Sequence, residues 1–260
     1  LHGVRSVTLS ADDAVVGVVI LAGTGLLLLP NSTYPGITLS FTDALFTSTS
    51  AVCVTGLNAV DFAHTFTPLG EMFTLALIQI GGFGIMTFAY FVAMVAGQGF
   101  SLRDRVLLTD LLDEDNLGAV VSFITTIVVS TLFIELCGAV LLYFSWEGKD
   151  INLMGEPLWW HSLFHSVSAF CNAGFDILGR ADTLYPSLTA YISDPLVNIV
   201  IMLLIIVGGI GFLTWDDVCT HGLHLRRYRM QSKVILSATV ILIALPAVLF
   251  FLTDFAELPA

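Results

Sequence analysis

Five long runs of apolar residues alternate with shorter polar connections along the chain. The runs cover residues 14–42, 72–102, 116–146, 195–215 and 234–253. Each run can supply about 20 helical residues, which is enough to cross roughly 30 Å of hydrocarbon. One charged residue, Glu135, interrupts the third run. The pattern therefore predicts five membrane-spanning helices.

The composition agrees with a bilayer as the surrounding solvent. The chain has 260 residues, of which 56% are hydrophobic and 12% charged, and its mean hydropathy is +0.90. Soluble domains carry about 25% charged residues, so the composition argues against a water-soluble globular protein. The net charge of −12 gives no basic footprint for nucleic acid. We therefore predict an all-α polytopic membrane protein.

Basic residues lie mainly in alternate connections between the runs, which predicts the orientation. One set comprises Arg5, Arg103, Arg105, Arg226, Arg227, Arg229 and Lys233, and the other only Lys149 and Arg180. By the positive-inside rule the first set is cytoplasmic. The N-terminus is then cytoplasmic and the end of the fifth helix lies outside.

Two segments of intermediate hydrophobicity, residues 40–60 and 157–175, lie on the predicted outer side. They are too short and too rich in Ser, Thr, Gly and Asn to cross a membrane alone. A re-entrant loop, which enters as a short helix and returns as extended chain, fits such a segment. Irregular backbone at membrane depth is tolerated only where it is buried in protein or lines an aqueous path. The two segments therefore indicate a pore.

The two re-entrant segments belong to an internal repeat. LFTSTSAVCVTGL (45–57) and LFHSVSAFCNAGF (163–175) are identical at seven of thirteen positions. IQIGGFGIMT (78–87) and IIVGGIGFLT (205–214) share an isoleucine, three glycines and a threonine. We predict two units of outer helix, pore loop and inner helix around a central ion pore, over 12–98 and 116–216. Residues 234–253 would be the first helix of a third unit.

The loop glycines suggest how an ion would be bound. A dehydrating cation needs oxygen ligands, and glycine lets the backbone adopt positive φ and present its carbonyls closely. The predicted ion-binding residues are Val54, Thr55, Gly56, Asn172, Ala173 and Gly174. The G-G-x-G runs at 81–84 and 208–211 would let each inner helix pass close to a loop or bend.

Other residues are candidates for supporting the loops. We expect Glu135 to hydrogen-bond backbone or hydroxyl groups behind a loop, holding it in shape, in preference to binding the ion directly. Cys53 and Cys171 occupy equivalent loop positions and are expected to be supporting, buried free thiols. His161 and His165 have i,i+4 spacing, for which a structural or outer-mouth role is favoured over a metal site.

These loop and glycine motifs resemble those of the Trk/Ktr/HKT potassium transporter superfamily, in particular the KtrB-type membrane subunit. The resemblance implies four channel-like repeats around one pore, with Gly56 and Gly174 as the first two filter glycines. Sodium-selective members of this superfamily often carry Ser at the first filter position, so Gly56 implies selectivity for potassium. Potassium would be the substrate, and the resemblance implies neither a cofactor in this chain nor an enzymatic activity. It also implies a multi-pass protein of the plasma (inner) membrane that forms a homodimer on a cytoplasmic ring of nucleotide-binding regulatory subunits.

Other interpretations stay open at this point. The sequence stops in the third repeat, so we expect the fourfold filter to be completed by residues beyond it; the alternative is that two such chains associate. The alternatives are the potassium-binding subunit of a P-type pump and a non-conducting membrane scaffold. An intramembrane enzyme is disfavoured because no nucleophile elbow or metal triad is visible.

Charged residues outside the apolar runs suggest further roles. Eleven of the 21 acids fall on the predicted outer side, and we expect an acidic vestibule there that concentrates cations. It would include Asp61, Glu71, Asp176 and Asp182, while Asp43 would interact with a helix N-terminus. The basic cluster at 226–233 either sets the orientation and contacts lipid headgroups or docks the regulatory ring. The acidic stretch at 110–115 is either solvated or a docking surface.

Overall fold

A computed structural model describes residues 11–84, 117–149, 155–179, 186–222 and 224–253. The side chains of 11–13 and 117–123 are not described. Among the described residues there is no strand, only an isolated bridge between Thr33 and Phe66. The chain forms two compact units, residues 1–205 and 206–260, which are treated separately below. The predicted all-α class is confirmed.

The helices follow one another in the order predicted for two repeats. They are α1 (Ala11–Leu27), α2 (Phe41–Val52), α3 (Phe62–Thr65), α4 (Pro68–Gly82), α5 (Leu117–Trp146), α6 (Leu158–Phe170), α7 (Pro195–Gly209), α8 (Phe212–His221) and α9 (Met230–Thr253). Two short 3₁₀ turns cover Ser187–Tyr191 and Leu225–Arg227. After the repeats that the sequence predicts, we call α1 and α5 the outer helices, α2 and α6 the pore helices, and α4 and α7 the inner helices.

Two described helices, α5 and α9, are long and apolar enough to cross a membrane, and α7 with α8 is a third if the bent pair forms one span. The first predicted run contains the shorter apolar helix α1. Of the second run, only residues 72–84 are described. Several sequence predictions lie outside the described residues. They concern Arg5, Arg103, Arg105, Arg180, Asp182, residues 85–102 and the acidic stretch 110–115.

Local caps fix where the first pore helix begins. The Ser40 hydroxyl accepts a hydrogen bond from the Asp43 amide at 3.1 Å and donates one to Asp43 Oδ2 at 2.7 Å. Asp43 therefore lies in the first turn of α2, where a carboxylate interacts favourably with the helix dipole. This agrees with its predicted role.

A glycine on the first outer helix lets the three helices of repeat one pack closely. A Cβ on Gly23 would lie 2.5 Å from Ser48 Oγ and 2.6 Å from Leu77 Cδ1. Ser48 also donates a hydrogen bond to the Ile20 carbonyl at 2.8 Å. Any larger residue at position 23 would therefore separate α1 from α2 and α4.

Repeat two contains the same arrangement. A Cβ on Gly138 would meet Ser166 Oγ and would lie 2.8 Å from Leu204 Cδ2. The Ser166 hydroxyl donates to the main-chain carbonyl of Glu135 at 2.6 Å. The internal symmetry thus extends to the outer helices, where the amino-acid sequences of the two repeats do not reveal it.

Aromatic side chains fill the core between the two repeats. The Phe62 ring, on the short helix α3, lies 4.8 Å from Phe66, 5.3 Å from Phe175 and 5.9 Å from Phe164, measured between centroids. All four side chains are at most 3% exposed. Burial of each aromatic ring contributes substantially to stability, so this cluster holds the two pore loops together.

In both G-G-x-G runs the helix ends at the second glycine, and the third glycine has positive φ. Gly84 has φ +77° after α4, and Gly211 has φ +79° before α8. The span predicted over residues 195–215 is broken at this run, where the sequence allows a bend: α7 ends at Gly209 and α8 begins at Phe212. The Trp215 indole donates to the Val207 carbonyl at 3.0 Å, which satisfies an acceptor left open where the helix ends.

In the second unit, α8 and α9 are joined through Asp217. Its Oδ2 accepts from the Arg229 amide at 2.9 Å and from the Ser232 hydroxyl at 2.5 Å. The Arg229 guanidinium forms an ion pair with Asp216 at 3.3 Å. Part of the basic cluster is thus engaged inside this unit, while Arg226 and Arg227 are exposed.

Candidate ion-binding site

The backbone after α2 folds back on Ser50. The Thr55 amide donates to the Ser50 carbonyl at 2.9 Å. Ser50 Oγ accepts from the Thr55 hydroxyl and from the Leu57 amide, each at 2.9 Å. Val54 and Gly56 have φ +54° and +73°. Positive φ is unusual for a β-branched residue, so these hydrogen bonds hold Val54 in a conformation that it would not choose alone.

The backbone after α6 adopts the same shape. The Ala173 amide donates to the Ser168 carbonyl at 2.8 Å, and the Ser168 hydroxyl donates to the Phe175 carbonyl at 2.6 Å. Asn172 and Gly174 have φ +60° and +71°. The six predicted ion-binding residues therefore form two matching segments, called below filter segment 1 (residues 54–56) and filter segment 2 (residues 172–174).

The two filter segments contact each other. A Cβ on Gly56 would lie 2.6 Å from the Ala173 carbonyl oxygen and 3.1 Å from Gly174 Cα. A Cβ on Gly174 would lie 3.2 Å from Gly56 Cα. The structure thus brings together the two glycines that the repeat singles out, and neither position has room for a side chain.

The first inner helix touches filter segment 1 and the residue that precedes filter segment 2 through its adjacent glycines. A Cβ on Gly81 would collide with the Val52 carbonyl oxygen and lie 2.9 Å from Val54 Cγ2, while a Cβ on Gly82 would lie 3.0 Å from Cys171 Cβ. The expectation that the first G-G-x-G run permits close approach to a loop is confirmed, and the run also ends the helix.

The Glu135 carboxylate, on α5, contacts side chains next to filter segment 2. Its Oε1 accepts from Gln79 Nε2 at 3.1 Å and lies 3.8 Å from the Cys171 thiol. Its side chain is 2% exposed. The sequence predicts backbone or hydroxyl partners for the carboxylate, but its described partners are an amide and a thiol. The carboxylate links α4, α5 and the residue that precedes filter segment 2.

The cysteines do not match the expectation of buried thiols. Cys53, Cys137 and Cys219 are exposed, and Cys171 is partly buried. All four are free. Cys171 alone among them contacts the Glu135 network described above, so the equivalence of Cys53 and Cys171 in sequence does not extend to their surroundings.

The outer acids differ from the predicted open vestibule. Glu71 is 2% exposed and accepts a hydrogen bond from the Trp160 indole at 2.6 Å, so its assignment to an open acidic face is wrong. Asp61 caps α3 and lies 2.9 Å from His64 Nδ1. Asp194 forms an ion pair with Lys149, and the hydrogen bond from Lys149 lowers the pKa of the partly buried Asp194 carboxyl.

Asp176, which lies two residues after filter segment 2, is a predicted vestibule residue whose pKa is shifted. Partial burial raises the pKa of Asp176 to about 6, and the nearby Asp61 carboxylate adds to the effect. At neutral pH it carries a negative charge, so its position fits the predicted cation-attracting role, and acidification would remove that charge.

The histidine pair on α6 does not have the geometry of a metal site. His165 Nδ1 donates to the His161 carbonyl at 2.7 Å, and the rings stack with centroids 6.2 Å apart. His161 Nε2 lies 3.4 Å from Glu156 Oε2. In the part of the chain that the structure describes, no group of three or more His, Cys, Asp or Glu side chains could hold a metal ion. The favoured structural role fits both residues.

Sequence reasoning missed the serines that organise the loops. Ser48 and Ser166 bind the outer helices, and Ser50 and Ser168 hold the filter segments. Both pairs are among the seven identities between the repeats. A serine at the same position of both repeats, within a largely apolar segment, can indicate a structural role, because a buried hydroxyl needs a hydrogen-bond partner.

A comparison with protein families decides the affiliation. Residues 11–259 match the TrkH family model, described as a cation transport protein. The chain belongs to this family. The resemblance noted from the loops is thereby confirmed, and as a TrkH-family member with several apolar helices the protein is a polytopic membrane protein.

Characterised TrkH-family relatives share more than a third of the aligned residues. The chain is 37% identical over 243 residues to Ktr system potassium uptake protein B of Bacillus subtilis and 36% identical over 240 residues to that of Vibrio alginolyticus. It is 35% identical over 241 residues to the potassium/sodium uptake protein NtpJ of Enterococcus hirae. These alignments cover 91–92% of this chain and 50–51% of the relatives. The chain therefore spans about half their length, and the matches do not favour the P-type pump alternative.

Proposed function

We propose that this chain contributes half of a potassium-selective, channel-like uptake pore. The observation that carries the proposal is the matched backbone of filter segments 1 and 2, which meet at Gly56 and Gly174. Relatives named as potassium uptake proteins support potassium as substrate. NtpJ is named for potassium and sodium, so sodium is the ion against which selectivity must be measured.

The backbone conformation of the filter segments suits carbonyl coordination. In an extended strand, successive carbonyls point to opposite sides. Positive φ at every second residue, as at Val54 and Gly56, turns successive carbonyls toward one side. Such a row of oxygens can replace part of the hydration shell of an alkali cation. Strained backbone of this kind costs on the order of 1–3 kcal/mol per residue and persists where its surroundings fix it.

The supporting residues in this proposal keep the segments in shape. Glu135 and Cys171 act with Gln79 behind filter segment 2, whereas Cys53 lies beside filter segment 1. Two repeats do not close a fourfold filter, so further repeats complete the pore. The family resemblance extends the proposal to a homodimer on a cytoplasmic ring of nucleotide-binding subunits, with lipid at the basic turn near Arg226 and Arg227.

Flux through the reconstituted full-length protein tests the proposal. Purified protein in liposomes should release or take up potassium down its gradient faster than protein-free liposomes, without ATP. The initial rate with potassium should exceed that with sodium at equal concentration. Potassium flux equal to that of empty liposomes would support the scaffold alternative instead, and flux that requires ATP would support the pump.

A further inference from the structure

The ring of Phe62 covers the residue that follows filter segment 2. Phe62 lies on the short helix α3, and its ring centroid is 5.3 Å from that of Phe175, with the ring planes at 69° in an edge-to-face contact. Phe175 directly follows Gly174 in the sequence. An aromatic side chain of repeat one therefore packs against the end of the filter segment of repeat two.

Phe175 is held through both its main chain and its side chain. Its carbonyl accepts a hydrogen bond from the Ser168 hydroxyl at 2.6 Å, and its side chain, which is 2% exposed, packs against Phe62. The preceding residue, Gly174, has φ +71°. Glycine populates positive and negative φ about equally readily, so it does not select this conformation by itself. The restraints on Phe175 therefore help to fix the backbone of filter segment 2.

The first repeat shows that the filter motif does not supply this cover by itself. Leu57 occupies the position equivalent to Phe175, and its side chain is 62% exposed. The Leu57 amide donates to Ser50 Oγ at 2.9 Å, so a serine of the pore helix holds the main chain at both positions. The side-chain cover at Phe175 is the difference between them, and it comes from α3.

The helix that carries Phe62 is itself fixed at both ends. At its start, Asp61 Oδ1 accepts from the His64 amide at 3.2 Å. At its end, the Thr65 carbonyl accepts from the Tyr34 amide at 3.0 Å, which joins α3 to the connection between α1 and α2. A side chain on an element restrained in this way positions its neighbours more precisely than one on a loop. Phe62 is therefore placed to restrain Phe175.

We propose that Phe62 is a positioning residue for filter segment 2, through which repeat one controls the ion selectivity of repeat two. The inference rests on the proposed potassium pore. The Phe62 ring holds Phe175 in place, and with it the Gly174 backbone, whose carbonyl geometry discriminates potassium from sodium in that proposal. Without the ring, Phe175 can move into the space left behind, because the neighbours of a cavity relax partly into it.

The test compares Phe62→Leu with Phe66→Leu in the full-length protein, reconstituted in liposomes. Phe66 is a matched control because it is fully buried and its ring contacts Phe62, but among the described residues it makes no ring contact with Phe175. Both variants should lower the melting temperature, because each removes part of a buried ring. Only Phe62→Leu should lower the potassium-to-sodium flux ratio, by about twofold to tenfold, the equivalent of one aromatic pair. A loss of folded protein reduces both fluxes by the same factor and leaves the ratio unchanged.

A second comparison tests whether Phe62 acts through Phe175. In a Phe175→Leu background, adding Phe62→Leu should change the flux ratio little further, because the contact is already lost. If Phe62→Leu does not fold, Phe62→Met takes its place, since methionine fills a similar volume without a ring.

The outcomes separate this inference from the pore proposal. An unchanged ratio in the Phe62 variant, an equal loss in Phe66→Leu, or fully additive losses with Phe175→Leu would overturn the inference while the pore proposal stands. Wild-type flux that equals that of empty liposomes, or that does not favour potassium, would overturn the pore proposal and this inference with it.

Discussion

Gly56 and Gly174, which lie 118 residues apart in the sequence, pack directly against each other: a Cβ on Gly174 would lie 3.2 Å from Gly56 Cα. Both residues have positive φ. Steric space and backbone conformation therefore impose glycine independently at the two positions. A substitution at either one must alter the backbone of both filter segments.

Replacing Gly56 by serine should weaken the discrimination of potassium over sodium. The new Cβ would lie 2.6 Å from the Ala173 carbonyl oxygen, and a backbone atom cannot yield as a flexible side chain can. The segments must separate, which changes the carbonyl geometry on which selectivity depends. Uptake of each cation by the full-length variant measures the effect.

Gly25→Ala is the matched control for this substitution. Gly25 lies on α1, where an added Cβ would meet no atom within 4 Å, so alanine there should leave the ion preference intact. An unchanged potassium-to-sodium ratio in Gly56→Ser would refute the assignment of Gly56 to the filter.

Gly82→Ala should destabilise the protein by about 1–3 kcal/mol, the usual cost of overpacking a close contact. The added methyl group would collide with the Cys171 thiol. Adding Cys171→Ala removes that sulfur and should restore part of the loss. Thermal unfolding of the single and double variants in detergent measures both effects. Equal melting temperatures for Gly82→Ala with and without Cys171→Ala would show that the two residues do not compete for space.

Gln79→Leu should be more harmful than the simultaneous replacement of Gln79 and Glu135. The single change leaves the buried Glu135 carboxylate without the amide that donates to it at 3.1 Å. Removing a hydrogen-bond donor from a buried polar group costs about 1–3 kcal/mol. In the double variant with leucine at both positions, no unpaired group remains.

A double-mutant cycle on thermal stability measures this coupling. The expected coupling energy between Gln79 and Glu135 is favourable. Strictly additive losses in the two single variants and the double variant would contradict a direct interaction between the side chains.

The filter segments could be predicted from the sequence because two copies of the same motif are present. The glycines and serines that the two copies share are informative, because the hydrophobicity of these segments alone does not explain their presence. The break of the fourth span could be predicted only in part. Its glycines predict either close approach or a bend, and hydropathy alone does not distinguish a straight helix from two shorter ones joined at Gly211.

The surroundings of individual acids could not be predicted from the pattern. Glu71 and Asp176 both lie in outer connections or helix ends, yet Glu71 is 2% exposed and hydrogen-bonded to Trp160. Its partner lies 89 residues away in the chain. Such a contact depends on how two helices are rotated against each other, which sequence periodicity in uniformly apolar helices does not determine.

The uptake rate at low ionic strength should decrease as external pH falls through about 6. Burial raises the pKa of Asp176 to about 6, so this carboxylate is charged at about pH 7.5 and mostly neutral at about pH 5. Loss of the charge lowers the local concentration of cations near filter segment 2, and high salt should hide the effect.

Asp176→Asn should remove this pH dependence, whereas Glu147→Gln, at an exposed acid elsewhere on the outer side, should retain it. The effect on stability has the opposite sign. Because the folded-state pKa lies above the ordinary value of 3.8, the folded state binds the proton more tightly, and the contribution of Asp176 to stability rises as pH falls from about 6 toward about 4. A rate that falls on acidification together with a melting temperature that rises would distinguish loss of surface charge from acid unfolding. An Asp176→Asn variant with the wild-type pH profile would instead assign the titration to another group.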